Sequence, residues 1–324
     1  MNIQSNTHTP IVCLGGGIGT VNLIKGLKAH TDRISAIVSM ADDGGSAGRL
    51  RRLYNIFPPG DVASCMAALM DDANPMMAKL LTYRFPGERY GKDEELGGQK
   101  LGNLMLVAAT EVTGSFPAAI ALLKKLFRIR EAIIPATAEP VAISAKTVDG
   151  QEIHGEENID LGKFHKDTQL DSVFLHPADA KASVDAIKAL ENAEVVIVGP
   201  GDLYTTVLPS IIIPEIKAFL LTNKKPQLFV VNVANKPFET KGYSVNDFVG
   251  AITRHLGSFP FQTVIANDNF ALPLPQDLEF DYSYVGLSEN DSQGYKLITA
   301  DLVDEAFPLY HDHHKLASVI AKEL

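Results

Sequence analysis

The chain has 324 residues, 46 % of them hydrophobic, enough to bury a substantial core in one large domain or two modest ones. A formal net charge of −10 and a pI near 5.4 argue against DNA or RNA as the main partner, because a nucleic-acid binder carries a basic footprint. An anionic small molecule stays open, since a few local cations outweigh a distant negative field that salt screens.

The first ten residues are polar, with no apolar leader core, and "PIVCLGG" then reads as a strand. "TVNLIKGLKAH" is a helical pattern, with Val21, Ile24 and Leu27 on one face. "ISAIVSM" is a second strand, followed by helical stretches "DVASCMAALMDD", "GNLMLVAATEVTG" and "FPAAIALLKKLFRI". From about 131 to 180 the pattern alternates and carries the hairpin-like turn "VDGQE", which predicts a small β-rich antiparallel insertion. Helix "KASVDAIKALENA", strand "EVVIVGPG", helix "PSIIIPEIKAFLLTN", strand "PQLFVVNVA", helix "VNDFVGAITRHLG" and a last clear strand "TVIAND" complete the series. Continuous β-branched strands separated by amphipathic helices predict an α/β, Rossmann-like three-layer fold with a mostly parallel sheet. One domain over 1–324 is the expectation. No apolar run approaches the ~20 residues of a membrane span. Cys13 and Cys65 lie in apolar runs without metal or disulfide spacing, so a cytoplasmic protein is expected.

Five turns carry the functional signal. "GGGIGT", residues 15–20, joins a strand to a helix, where glycines let the backbone approach a phosphate and the helix start offers N–H groups. The dinucleotide fingerprint read from Gly15 fails at Thr20, and the P-loop pattern fails from every glycine, which sets an ordinary NAD-dependent dehydrogenase aside. In "ADDGGSAGRLRR", Asp42 and Asp43 stand where such folds place a ribose-binding acid, and either could hold Mg²⁺ against a pyrophosphate. Gly44, Gly45 and Gly48 bend the chain, Ser46 offers a hydroxyl, and Arg49 and Arg52 share a helix face able to fork onto phosphate oxygens. Asp61 in "FPPGDVASC" reads first as a helix cap, and Asn103 in "LGGQKLGNLML" as a cap or a ligand contact. "VVIVGPGDLYTTVLPS" ends a buried strand in Gly199, Pro200 and Gly201, followed by Tyr204 and Thr205. Ligands of open parallel sheets bind outside the strands' carboxyl ends, so these turns should line one crevice. Tyr243 in "KGYS" reads as an exposed loop tyrosine able to stack on a base. "YHDHHK" offers His311 and His313 to a metal, but Asp312 reads better as a helix cap, and no metal site is assigned.

In this order the turns resemble the YvcK-type gluconeogenesis factor family, relatives of the 2-phospho-L-lactate transferases. The matching residues are "GGGIGT", "ADDGGSAGRLRR", "PPGD", "LGN", "VGPGDLYTTVLP" and "KGYS", spread over about 11–320. The resemblance implies a nucleotide site at the strand ends. Its regulatory branch binds UDP-sugars, notably UDP-N-acetylglucosamine, and supports growth on gluconeogenic carbon sources and normal cell shape. Its transferase branch moves a lactyl-phosphate group from a nucleotide carrier to a deazaflavin alcohol with Mg²⁺. Carried over, Gly15, Gly16, Gly17, Gly19, Asp42, Asp43, Gly44, Gly45, Ser46, Arg49 and Asn103 would line the nucleotide site. So would Gly199, Gly201, Tyr204 and Thr205, with Tyr243 on the uridine. Four positions depart from the family pattern: Ala63 and Tyr310 replace arginines, Gln99 a histidine, and Asp202 a serine.

Two functions follow. The first is a UDP-sugar-binding regulator that requires no cofactor. The second is a Mg²⁺-dependent nucleotide-linked phosphotransferase. The chain has no Trp and no Phe or Tyr cluster beside the glycine turns for a flat deazaflavin, which favours the first. The partner expected is a nucleotide or nucleotide-sugar, with a homo-oligomer left open.

Overall fold

A computed structural model describes residues 8–70, 75–164, 168–275, 280–287 and 294–324. The first half runs β1 (Ile11–Gly15), α1 (Gly17–Leu27), β2 (Ile34–Val38), α2 (Gly45–Tyr54), α3 (Gly60–Leu69), α4 (Pro75–Thr82), α5 (Leu101–Thr113), α6 (Phe116–Phe127) and β3 (Ala132–Pro135). A smaller unit follows: β4 (Ala142–Thr147), β5 (Glu152–His154), α7 (Glu156–Asp160) and β6 (Leu170–His176). The second half begins with α8 (Val184–Asn192) and β7 (Val195–Val198), then a π-helical turn Leu203–Val207. It continues through α9 (Leu208–Ile211), α10 (Pro214–Thr222), β8 (Gln227–Val230), β9 (Ala234–Asn235), α11 (Val245–Leu256), β10 (Thr263–Asn267), β11 (Ser283–Tyr284), β12 (Lys296–Ala300) and α12 (His313–Ile320).

Seven strands form one sheet in the order β3-β2-β1-β7-β8-β10-β12, and every pairing is parallel. All five residues of β1 and all four of β7 are buried, as strands covered on both faces require. The chain builds outward from β1 to β3, then returns to the other side of β1 with β7. The order reverses between those two central strands, which is where an α/β sheet opens a crevice at its carboxyl edge. Burial pushes the Cys13 and Cys65 thiols far up, which leaves both inert.

Three sequence-based boundaries move. The β-rich segment expected from 131 contributes its first strand, β3, to the main sheet, where Ser35 pairs with Ala132; the antiparallel unit, ordered β5-β4-β6, starts at Ala142. "PSIIIPEIKAFLLTN" is not one helix. It breaks between α9 and α10, because Pro214 starts a new helix and cannot extend the old one. "TVIAND" is not the last strand either: β12 follows it, its burial only partial as befits a sheet edge. Among the described residues no single helix is long and apolar enough to cross a membrane.

Candidate functional site

The turns after β1, β7 and β8 meet over the carboxyl edge and are stitched together by side chains. The Thr20 hydroxyl donates to the Pro200 carbonyl at 3.3 Å, and the Gly201 N–H donates to Asn232 Oδ1 at 3.0 Å. Thr20 thus takes the place of the fingerprint's third glycine and ties two crevice walls together. Gly19 explains why this turn needs small residues: a Cβ there would lie 2.6 Å from the Pro200 carbonyl oxygen. Gly17 opens α1 at φ +65, a left-handed conformation that glycine adopts without steric cost.

Between these turns, α3, the 84–100 segment and α7 lies a cavity of about 840 Å³. Of the residues expected at the site, Gly17, Gly19, Asp42, Gly44, Asp61, Gly201 and Thr205 line it. The departing residues Asp202 and Tyr310 line it too. Gly15 ends β1, Gly16 caps α1 and Gly199 takes φ +76 after β7, all shaping the wall from behind.

The helix starts that the glycine turns offer to phosphate hold the chain's own acids. The Gly17 N–H donates to Asp61. The Gly45 N–H donates to Glu157 Oε2 at 3.1 Å, and the Gly44 N–H to Asp42 Oδ1 at 2.9 Å. Asp43 returns the contact from the other side: its Oδ1 accepts from the Glu157 N–H at 2.9 Å. Asp43 therefore clasps α2 to α7 and does not pair with Asp42 across the cavity. The acid that does face Asp42 is Asp61. Burial, then Asp61, pushes the Asp42 carboxyl up to about 7, and burial raises Asp61 itself. Glu156 is held well above the carboxylate range by burial and by Asp42.

A carboxyl raised in this way stabilises the fold while protonated. Asp42's contribution is complete below its ordinary value near 4 and is lost as the pH rises through about 7. The melting temperature should therefore fall between pH 5 and pH 8, and Asp42→Asn should flatten that fall. A variant with the wild-type pH slope in a thermal scan would acquit Asp42.

Several expected contacts lie elsewhere. Arg49 is 1 % exposed, and its guanidinium donates to the carbonyls of Lys92 at 2.6 Å and Gly97 at 2.5 Å. It anchors a loop and is not part of the cavity wall. Ser46 accepts from Arg84 at 3.1 Å. Asn103 and Gln99 are buried behind the wall, and their carboxamides have no hydrogen-bond partner among the described residues. Ala63 is buried in α3. Tyr243 is not an exposed loop residue. It is 7 % exposed, and its hydroxyl meets that of Tyr204 at 3.0 Å beneath the site. The Asn235 carboxamide fixes its backbone by donating to the Tyr243 carbonyl at 2.9 Å, a tie that "KGYS" does not announce. Asp312 caps α12, accepting from the N–H groups of His314 and Lys315, both at 2.8 Å. His311 lines the cavity wall, and burial lowers its imidazole to about 4.

The cations of the cavity escaped sequence reasoning. Arg84 and Arg89 come from "YRFPGERYGK", a stretch with no motif, and Lys100 from "GGQKLGN", where the motif drew attention to Asn103. Lys100 donates to Ser64 at 3.1 Å, and burial, then Arg84, lowers its ammonium. Lys236, which also lines the cavity, sits among three acids: it pairs with Asp160, with Asp202 at 2.6 Å and with Glu239 at 3.9 Å. Burial works against this ammonium, but Asp202, Asp160 and Glu239 outweigh it and raise it well above the lysine range. Glu239, fully buried, also accepts from the N–H groups of Tyr204 at 2.8 Å and Thr205 at 3.2 Å, which starts the π-helical turn. Asp202, added where a serine was expected, is thus matched by a lysine.

The cavity is lined by a cluster of cations, Arg84, Arg89 and Lys100, with Asp42 and Asp61 beside them, and by further acids and an amide, Asp160, Asp202 and Asn232. A model of the 2-phospho-L-lactate transferase CofD family matches residues 11–303. The chain belongs to the CofD family. The gluconeogenesis factor of Bacillus subtilis is 32 % identical over 96 % of this chain and 96 % of its own length. That of Listeria monocytogenes is 32 % identical over 94 % of this chain and 90 % of its own. Relatives from Deinococcus radiodurans and Clostridium acetobutylicum are 37 % and 36 % identical, and the chain spans about half of their lengths, 53 % and 56 %. A crystal structure of a Bacillus halodurans protein superimposes with a TM-score of 0.87 at 30 % identity, covering 97 % of this chain and 99 % of that one. This CofD-family chain is therefore a homologue of the gluconeogenesis factors and shares their fold.

Proposed function

We propose that this protein is a regulator that binds a UDP-sugar of the UDP-N-acetylglucosamine type in the crevice. In this reading it supports growth on gluconeogenic carbon sources and envelope shape, and requires no cofactor. The observation that carries the proposal is the lining of the 840 Å³ cavity, which offers both clustered cations and hydrogen-bond acceptors. Its volume lies in the range of small-molecule sites. Arg84, Arg89 and Lys100 present N–H donors suited to a pyrophosphate. Asp160, Asp202, Asn232 and the Thr205 hydroxyl present acceptors suited to the hydroxyl and amide groups of ribose and sugar.

The test is calorimetric titration with UDP-N-acetylglucosamine, UDP-glucose, GDP and NAD, each with and without Mg²⁺. Micromolar binding of a UDP-sugar with no product formed is the expected result. Arg89, exposed on the rim, should matter for the ligand and not for the fold: Arg89→Ala should weaken binding about tenfold or more, the loss of one charged hydrogen bond, at an unchanged melting temperature. Equal affinity would take Arg89 out of the site.

One observation favours the second reading, a phosphotransferase of the 2-phospho-L-lactate transferase type. Asp42 and Asp61 are two half-buried carboxyls lining the cavity, each raised in part by desolvation, and once ionised two such oxygens suit a Mg²⁺ ion. Asp42 and Asp61 would hold the ion, which would neutralise charge on a pyrophosphate. Strict Mg²⁺ dependence with a preference for GDP would move the assignment there.

A further inference from the structure

We propose that the outer face of the insertion holds one transition-metal ion of the zinc class between Glu152, His154 and His176, away from the cavity. The placement follows from strand register. Glu152 and His154 alternate to the same side of β5. On β4, Ser144 stands opposite His154 and Ala142 opposite His176, so all three side chains rise from one face with small residues of the central strand beneath them. The other face carries Ile143, Ala145, Ile153, Val173 and Leu175, all buried in the core. The polar face is therefore fixed in place by the apolar one.

One ligand atom from each residue lies within 4.8 Å of the other two. His154 Nε2 is 3.7 Å from Glu152 Oε1, and the two imidazole centroids are 6.2 Å apart. Tetrahedral zinc with bonds near 2.0–2.1 Å needs ligand atoms roughly 3.3 Å apart. Rotation of these exposed side chains closes that difference without moving the backbone. The buried Ser144 hydroxyl lies 2.7 Å from His176 Nε2, and a hydrogen bond at one imidazole nitrogen fixes the tautomer and leaves the other as a donor to metal. Two nitrogens and one carboxylate select zinc, nickel or copper over Mg²⁺ and Ca²⁺, which take oxygen. The position also matters to the cavity. β5 has only three residues at the edge of its sheet, and it leads through Gly155 directly into Glu156 and Glu157 of the cavity wall. A metal bridging β5 to β6 would clamp the strand that delivers those acids.

The experiment is titration of the metal-free full-length protein with Zn²⁺, read by calorimetry and by competition with a chromophoric chelator. One equivalent should bind with a Kd near or below about 10 µM and survive excess Mg²⁺ or Ca²⁺. His154→Ala and His176→Ala should each weaken that equivalent at least tenfold, and Zn²⁺ should raise the melting temperature of the wild type but not of these variants. All three side chains are exposed, so circular dichroism of the variants should match the wild type. Zinc bound equally by wild type and both histidine variants would place the ion elsewhere, for instance at Asp42 and Asp61, and would overturn the proposal. So would the absence of micromolar binding in the wild type.

Discussion

Lys236→Ala should cost about 3–5 kcal/mol of stability, the loss typical when one partner of a largely buried charged group is removed. The lysine is the cation shared by Asp160, Asp202 and Glu239. Without it three carboxylates face one another, and each must protonate or draw in water. The expected result is a large drop in the urea midpoint with an unchanged slope, steepest at high pH. Asp202→Ser in the same background should recover part of the loss, because it removes one of the uncompensated charges. A single variant that unfolds at the wild-type urea concentration would show that the cluster carries no net stability.

Arg49→Ala should cost roughly 2–4 kcal/mol, since two charge-assisted hydrogen bonds to carbonyls disappear and a buried volume is vacated. The bonds hold Lys92 and Gly97, within the segment that carries Arg84, Arg89 and Lys100 into the cavity. The variant should therefore lose ligand affinity together with melting temperature, whereas Arg89→Ala should lose affinity alone. Arg49→Lys should restore little, because an ammonium cannot reproduce the planar fork that spans both carbonyls. A destabilised Arg49 variant with intact affinity would mean that the 84–100 segment orders itself without the anchor.

The comparison of these two arginines shows what the sequence could reveal. Parallel strands announce themselves as continuous β-branched runs, so a parallel sheet was legible, but not its strand order, its edge strand β12 or the place of β3 within it. Glycine turns announce backbone that must bend or approach closely, so the crevice rim was legible too. Side-chain direction was not. Arg49 sits in a motif that looks made for phosphate and points into a loop. Arg84, Arg89 and Lys100 sit in stretches without periodicity and point into the cavity. Asp42 and Asp43 are adjacent, but consecutive residues diverge: one faces Asp61 and the other caps α7. Tyr243 looked like a loop residue because nothing local records that Asn235 and Tyr204 draw it inward. Each of these outcomes depends on a partner distant along the chain.

The charges that converge at Lys236 come from α7, from the turn after β7 and from the chain after β8, across positions 160 to 239. No contiguous fragment shorter than that span contains the lysine together with all three acids. A chain severed between β6 and β7 would strand Asp160 on one piece and leave Lys236, Asp202 and Glu239 on the other. The pocket is thus a property of the completed chain and offers no half-site from which a smaller binding module could be carved.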